Sequence, residues 1–156
     1  MATYDPPAGA ADVTNDFPNT ATTAVNDVGH GMVVGNIVEA AGAAIYQLAQ
    51  ADTAANCDGA IGVVISVEDV DNYTIKWVPT EVSTPNGDIA SMTEGGYTPT
   101  NNDELFLSAT DAGCVVATAP SGGTTRVVKI GNVADINSGV SALEWRFLPL
   151  GITLPG

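Results

Sequence analysis

The chain has 156 residues, with 18 acidic and 4 basic side chains and a formal net charge of −14. Lys76, Arg126, Lys129 and Arg146 cannot neutralise a run of phosphates, which excludes a nucleic-acid binder and argues equally against an anionic membrane surface. Charged residues are 14% and aromatics 6% of the chain, so Thr, Asn, Ser and Asp must supply the polar surface, and these suit turns and strands better than exposed helices.

In chain order, Met1 to Asn26 is polar, and Pro6, Pro7 and Pro18 favour extended backbone. Val13, Phe17 and Val25 are too sparse for a core face. Two readings stay open: a loose terminus, or an arm lying on a neighbouring subunit through Tyr4 and Phe17. The opening lacks the cationic start and apolar centre of a signal peptide, so the expectation is a chain made in a cytoplasm and not exported by the usual route. No apolar run reaches the length of a membrane-spanning helix.

Gly31 to Val38 predicts the first strand. Ala40-Ala41-Gly42 reads as a turn and Ala43 to Ala49 as a strand. Asp52 to Asp58 reads as a loop, with room for one helical turn capped by Asp52. Ala60 to Val67 is a buried strand, Val70 to Asn72 a turn, and Tyr73 to Val78 a returning strand. Tyr73, Ile75 and Trp77 share one face of that strand, and Thr74, Lys76 and Val78 the other. Pro79 ends it. Pro85-Asn86-Gly87 is a turn signal, Ile89 to Met92 a short strand, and Glu94 to Asn102 a loop.

Asp103 to Gly131 holds three apolar runs: Leu105-Phe106-Leu107, Cys114 to Thr118, and Arg126 to Ile130. Asp111-Ala112-Gly113 and Pro120 to Gly123 separate them, with Gly113 able to take positive φ, so the stretch predicts a three-stranded meander. Asn132 to Ile136 continues or follows the third strand, and Asn137-Ser138-Gly139 turns. Val140 to Phe147 is a last strand, with Leu143, Trp145 and Phe147 on one face. The strands before the meander must pack on it. The expected fold is all-β, an antiparallel sandwich or barrel of residues 27–147, with an extended arm at 1–26 and a tail at 148–156. The tail is apolar, and Leu150, Ile152 and Leu154 are expected to cover the core or a neighbour.

No stretch carries a catalytic signature, and the expectation is a protein that is not an enzyme and needs no cofactor. His30 stands between two glycines without a visible orienting partner, which reads as a mobile loop. One histidine and two separated cysteines make no zinc ligand set. Cys114 reads as a small buried hydrophobe, and whether Cys57 and Cys114 pair stays open. Glu68, Asp69 and Asp71 are the best cation candidates, but their spacing is not that of a calcium loop, and Asp and Asn are ordinary turn residues. Tyr73, Trp77, Tyr97 and Trp145 have the chemistry to stack on sugars, though core or interface packing is the plainer use.

Two passages resemble a recurrent β-domain of tailed-phage virion proteins. One is Gly31-Met32-Val33-Val34, then Tyr46 to Asp52, then Gly59 to Val64. The other is Asp103 to Ser108 with Gly113, Thr118-Ala119-Pro120 and Val127 to Val133. Together they look like capsid decoration (cement) proteins. The resemblance implies a structural virion protein on the outside of the capsid, assembled in the host cytoplasm. It also implies the major capsid protein as partner and a trimer or dimer as the working form. Tyr4, Phe17, Leu150, Ile152 and Leu154 are the expected partner contacts. The alternative it leaves is a tail, fibre or baseplate protein that contacts a receptor.

Overall fold

The protein is all-β with one short helix; the computed structural model describes residues 21–136, 142–149 and 152–153. Its first sheet holds β1 (Thr22–Asn26), β2 (Ile37–Gly42), β3 (Ile45–Leu48), β4 (Ala60–Val67) and β5 (Asn72–Lys76), in the order β1-β5-β4-β2-β3. The second holds β6 (Thr80–Pro85), β7 (Glu104–Leu107), β8 (Val115–Val116), β9 (Val127–Ile136) and β10 (Ala142–Phe147), in the order β6-β10-β9-β7-β8. A further strand, β11 (Ile152–Thr153), pairs with β9. The named strands pair antiparallel throughout. The chain changes sheet once, around Pro79, whose missing N–H cannot extend β5.

The main core lies between the sheets. Ile37 and Val63 meet it from the first sheet; Val82, Leu105, Leu107, Ile130, Leu143, Trp145 and Phe147 meet it from the second. The expected alternation on the last strand is borne out: Leu143, Trp145 and Phe147 are buried. A second, smaller core of Met32, Val38, Val64, Tyr73 and Ile75 occupies the other face of the first sheet. Tyr46 on β3 and Trp77 just after β5 close it, with ring centroids 5.6 Å apart, although β4 and β2 lie between their strands. Three strand spacings would separate them by about 14 Å in a flat sheet. The first sheet is therefore curled, and bulges in β2 and β4 supply the bend.

Backbone hydrogen bonds stitch the sheets together. Ala49 to Ala51, just after β3, lies against the segment joining β7 to β8: the Gly113 N–H donates to the Ala49 carbonyl at 2.7 Å, and the Ala51 N–H to the Ser108 carbonyl at 2.8 Å. Gly113 has the positive φ expected of it, +75°, and Leu48 packs where a Cβ would stand, so both backbone and space demand glycine.

Several expectations are corrected. The strand expected from Gly31 is β2 and begins at Ile37, because the Asn36 side chain accepts from the Val33 N–H and its amide donates to the Ser91 carbonyl, holding the preceding residues in a turn. The β2–β3 turn is at Ala43-Ala44 rather than Ala40 to Gly42. Thr22–Asn26, assigned to the arm, is a sheet strand with Val25 against the smaller core. Thr80–Pro85 is a strand, and Asn86–Met92 is the helix, α1, where a turn and a strand were expected. Ile89 and Met92 fall one helical turn apart there and face the main core. The three runs do not form a meander: β9 pairs with β7, not β8, so β7 lies in the middle. The expected helical turn near Asp52 exists as a single 3-10 turn at Ala54–Asn56. Asp52 accepts from the Thr53 N–H and the Asn56 amide, but the N-cap position is Thr53.

Candidate functional site

The densest group of acidic and ring side chains sits at one end of the first sheet. The β4–β5 hairpin brings Glu68 to Asn72 to the chain that follows β1, and the two are tied together. The Asp27 N–H donates to the Asp71 carbonyl at 2.7 Å, and the Gly29 N–H to Asp71 Oδ1 at 3.0 Å. His30 completes the clasp. Its Nδ1 accepts from the Met32 N–H at 2.8 Å, so Nε2 carries the proton toward the Asp69 carbonyl, 3.1 Å away. The ring packs against Tyr73 with centroids 4.6 Å apart. The mobile loop expected at His30 is thus a held one. With both ring nitrogens engaged by the backbone, His30 is not placed to take a substrate proton.

The acids at this tip do not assemble into a cation site. The Glu68 carboxylate accepts from the Ser66 and Thr74 hydroxyls, and Ser66 does most to hold it below the usual carboxylate range. Asp69 accepts from the Asp71 N–H at 2.8 Å and from the Asn72 amide, and the first of these does most to lower its pKa. Each carboxylate is turned to its own donors. Among the described residues no group of three or more His, Cys, Asp or Glu side chains is arranged to hold a metal.

Elsewhere, the polar groups serve the fold. Glu39 is 3% exposed, and its carboxylate accepts from the Gly59 N–H at 2.6 Å and the Gln47 amide at 3.1 Å. Asp103 accepts from the Thr100 hydroxyl and N–H and from the Tyr97 hydroxyl; the Thr100 hydroxyl is the main reason its pKa lies below the usual range. Cys57 and Cys114 are free and buried, and burial, then neighbouring acids, pushes each thiol up to about 11. Neither is a reactive thiolate near neutral pH. Two basic residues pair with acids of the second sheet: Lys129 with Glu104, and Arg146 with Glu81 at 3.7 Å.

The four aromatics considered for sugar stacking are dispersed. Tyr73 and Trp145 are each 1% exposed, in different cores. Trp77 packs at a tilt against Tyr46 and donates to the Thr23 hydroxyl at 2.9 Å, and Tyr97 donates to Asp103. They form no common platform. Of the expected partner contacts, Tyr4, Phe17, Leu150 and Leu154 lie outside the described residues. Ile152 is placed by its backbone alone, opposite Val128 of β9. Ile152–Thr153 therefore pair with the same strand that β10 pairs with. Pro149 falls at the interruption between the two pairings, where it has no N–H to donate.

Sequence reasoning missed the apolar side chains at the tip. Val28 and Val70 are 81% and 74% exposed. The available signal was a β-branched residue at each turn, Asp27-Val28-Gly29 and Asp69-Val70-Asp71, where turn chemistry has no use for one. Comparison of the chain with protein-family models, with curated proteins and with solved structures finds no match.

Proposed function

We propose that this is a structural virion protein that binds the outside of a phage capsid and stabilises it by bridging major capsid protein subunits. In this reading it works as a homo-oligomer, a trimer or dimer, assembled in the host cytoplasm. The observation that carries the reading is how the two ends join the body. Residues 1–20 lead into β1, an outermost strand held along its whole length by β5, and Ile152–Thr153 of the tail pair on β9 of the other sheet. A pull along a paired strand loads its ladder in shear, so many hydrogen bonds resist together. The common core then passes the load from one sheet to the other. A bridge between subunits needs that continuity, and several modest contacts made at once give lasting attachment.

Deleting residues 2–20 and measuring occupancy on expanded heads tests the role of the arm. Occupancy should fall sharply; unchanged occupancy would remove the arm from the mechanism. Mass in solution tests the oligomer: a dimer or trimer is expected, and a monomer at working concentration contradicts it. No observation favours the tail-fibre alternative, since the aromatics it would use are dispersed between the two cores and their margins.

A further inference from the structure

The tip of the first sheet combines three properties that its role in the fold does not require. It is apolar at its centre: Val28 and Val70 stand out into solvent, Val67 is 36% exposed, and Val67 and Val70 line a hollow of about 480 Å³ with Met32, His30 and Gly29. It is acidic at its rim, where Asp27, Glu68 and Asp69 are exposed and Asp71 half-buried. Lys76 is at the opposite end of β5, about 13 Å away at the strand rise, and the other cations belong to the second sheet or its loops. The tip is also pre-organised, because the Asp27–Asp71, Gly29–Asp71 and His30–Asp69 contacts fix the two turns against each other before anything binds.

We propose that this tip is a docking surface for a basic segment of a partner protein, one that seats an apolar side chain in the hollow between Met32, Val67 and Val70 and sets Lys or Arg against the acidic rim. The inference goes beyond the capsid reading and does not need it. An apolar centre supplies affinity on losing water. The unopposed carboxylates select cationic flanks and reject acidic ones, this protein's own surface included. A fixed surface spares the ordering entropy that two loose turns would cost on binding.

The test is an amide-resolved titration of the full-length protein with two synthetic peptides of equal length and equal leucine content. One has its leucines flanked by lysine, the other by glutamate. The lysine peptide should shift the amides of Gly29, His30, Met32, Val70 and Asp71 saturably. Val70→Asp should weaken that binding about tenfold, as loss of a central apolar contact does. Raising salt from about 0.05 M to about 0.5 M should weaken it several-fold by screening the rim. Val70→Thr, which keeps the branched shape, guards against a folding artefact and should also bind more weakly. Four results would overturn the proposal: no shifts at the tip, equal shifts with the glutamate peptide, shifts centred on the second sheet, or a tip already covered in peptide-free protein. The last would show as concentration-dependent shifts from a second copy, or as contacts to residues 1–20.

Discussion

The two cores solve the same problem with different materials. The core between the sheets is closed by large side chains, with Trp145, Phe147, Leu105, Leu107 and Ile130 each no more than 1% exposed. The only polar atom of Trp145, Nε1, donates to the buried Thr84 hydroxyl at 3.1 Å. The core inside the curl of the first sheet is smaller, and its margin is made of rings: Tyr46 against Trp77 and His30 against Tyr73. It also holds the buried Tyr73 hydroxyl, which has no hydrogen-bond partner among the described residues. The first core is sealed by fully buried side chains, whereas the second is edged by the half-buried His30, Tyr46 and Trp77. The proposed docking tip belongs to the second.

Truncating the closed core should have the largest effect. Trp145→Ala removes a fully buried indole and strands the Thr84 hydroxyl, so denaturant unfolding should show a loss of about 3–5 kcal/mol. Two glycines then separate the cores directly. A Cβ at Gly131 would stand 1.8 Å from the Arg146 carbonyl oxygen, inside the β9–β10 ladder, where only backbone could yield. A Cβ at Gly62 would stand 2.6 Å from Ile75 Cγ2 and 2.7 Å from the ring of the half-buried Trp77, side chains rather than backbone. Gly131→Ala should cost about 3 kcal/mol and Gly62→Ala about 1 kcal/mol, the two ends of the usual overpacking range. Equal losses would erase the distinction between a site walled by backbone and one walled by side chains.

Removing the stranded hydroxyl probes the second core from the other side. Burial raises the Tyr73 pKa, with Asp27 and Tyr46 adding to it, so the neutral phenol is what the site holds. Tyr73→Phe keeps the ring against His30 and deletes a polar atom that gains nothing from burial. The variant should be more stable by about 1 kcal/mol in thermal or denaturant unfolding. A loss of similar size would mean that the hydroxyl is satisfied.

What could be read from the chain followed from local pattern. Ala60–Val67 is an apolar run broken only by Ser66, and its strand has those very bounds. The faces of Tyr73-Ile75-Trp77 and of Leu143-Trp145-Phe147 follow from period-two alternation, and each set packs into a single core. The choice of partner did not follow. Nothing local says that β7 rather than β8 pairs with β9, because that depends on which edge is free after the sheets have formed. Asn86–Met92 is too short to show a helical period, and Pro85-Asn86-Gly87 imitates a turn. The tip was invisible for a related reason. The turns that carry Val28 and Val70 are far apart in sequence and come to the same end of the sheet only because Thr22–Asn26 pairs with Asn72–Lys76, an edge strand whose alternating Thr23 and Val25 are too weakly apolar to announce it.

The smallest expected effect concerns how β3 is held against the curl. Gly42 pairs with Ile45, so Ala43 and Ala44 alone connect β2 to β3, and Ala44 has φ of +57°. An L-residue with a Cβ spends about 1–2 kcal/mol in that region, and glycine does not. Glycine gives part of this back, because its unfolded backbone has more freedom to lose. Ala44→Gly should therefore raise stability by a net of about 0.5 kcal/mol, seen as a shifted denaturation midpoint with an unchanged slope. Because β3 carries Tyr46 and Leu48 into the second core, the gain should appear as slower amide exchange there, with the core between the sheets unaffected. A gain shared equally by both cores would mean that the two unfold as one unit and that their difference in construction has no thermodynamic consequence.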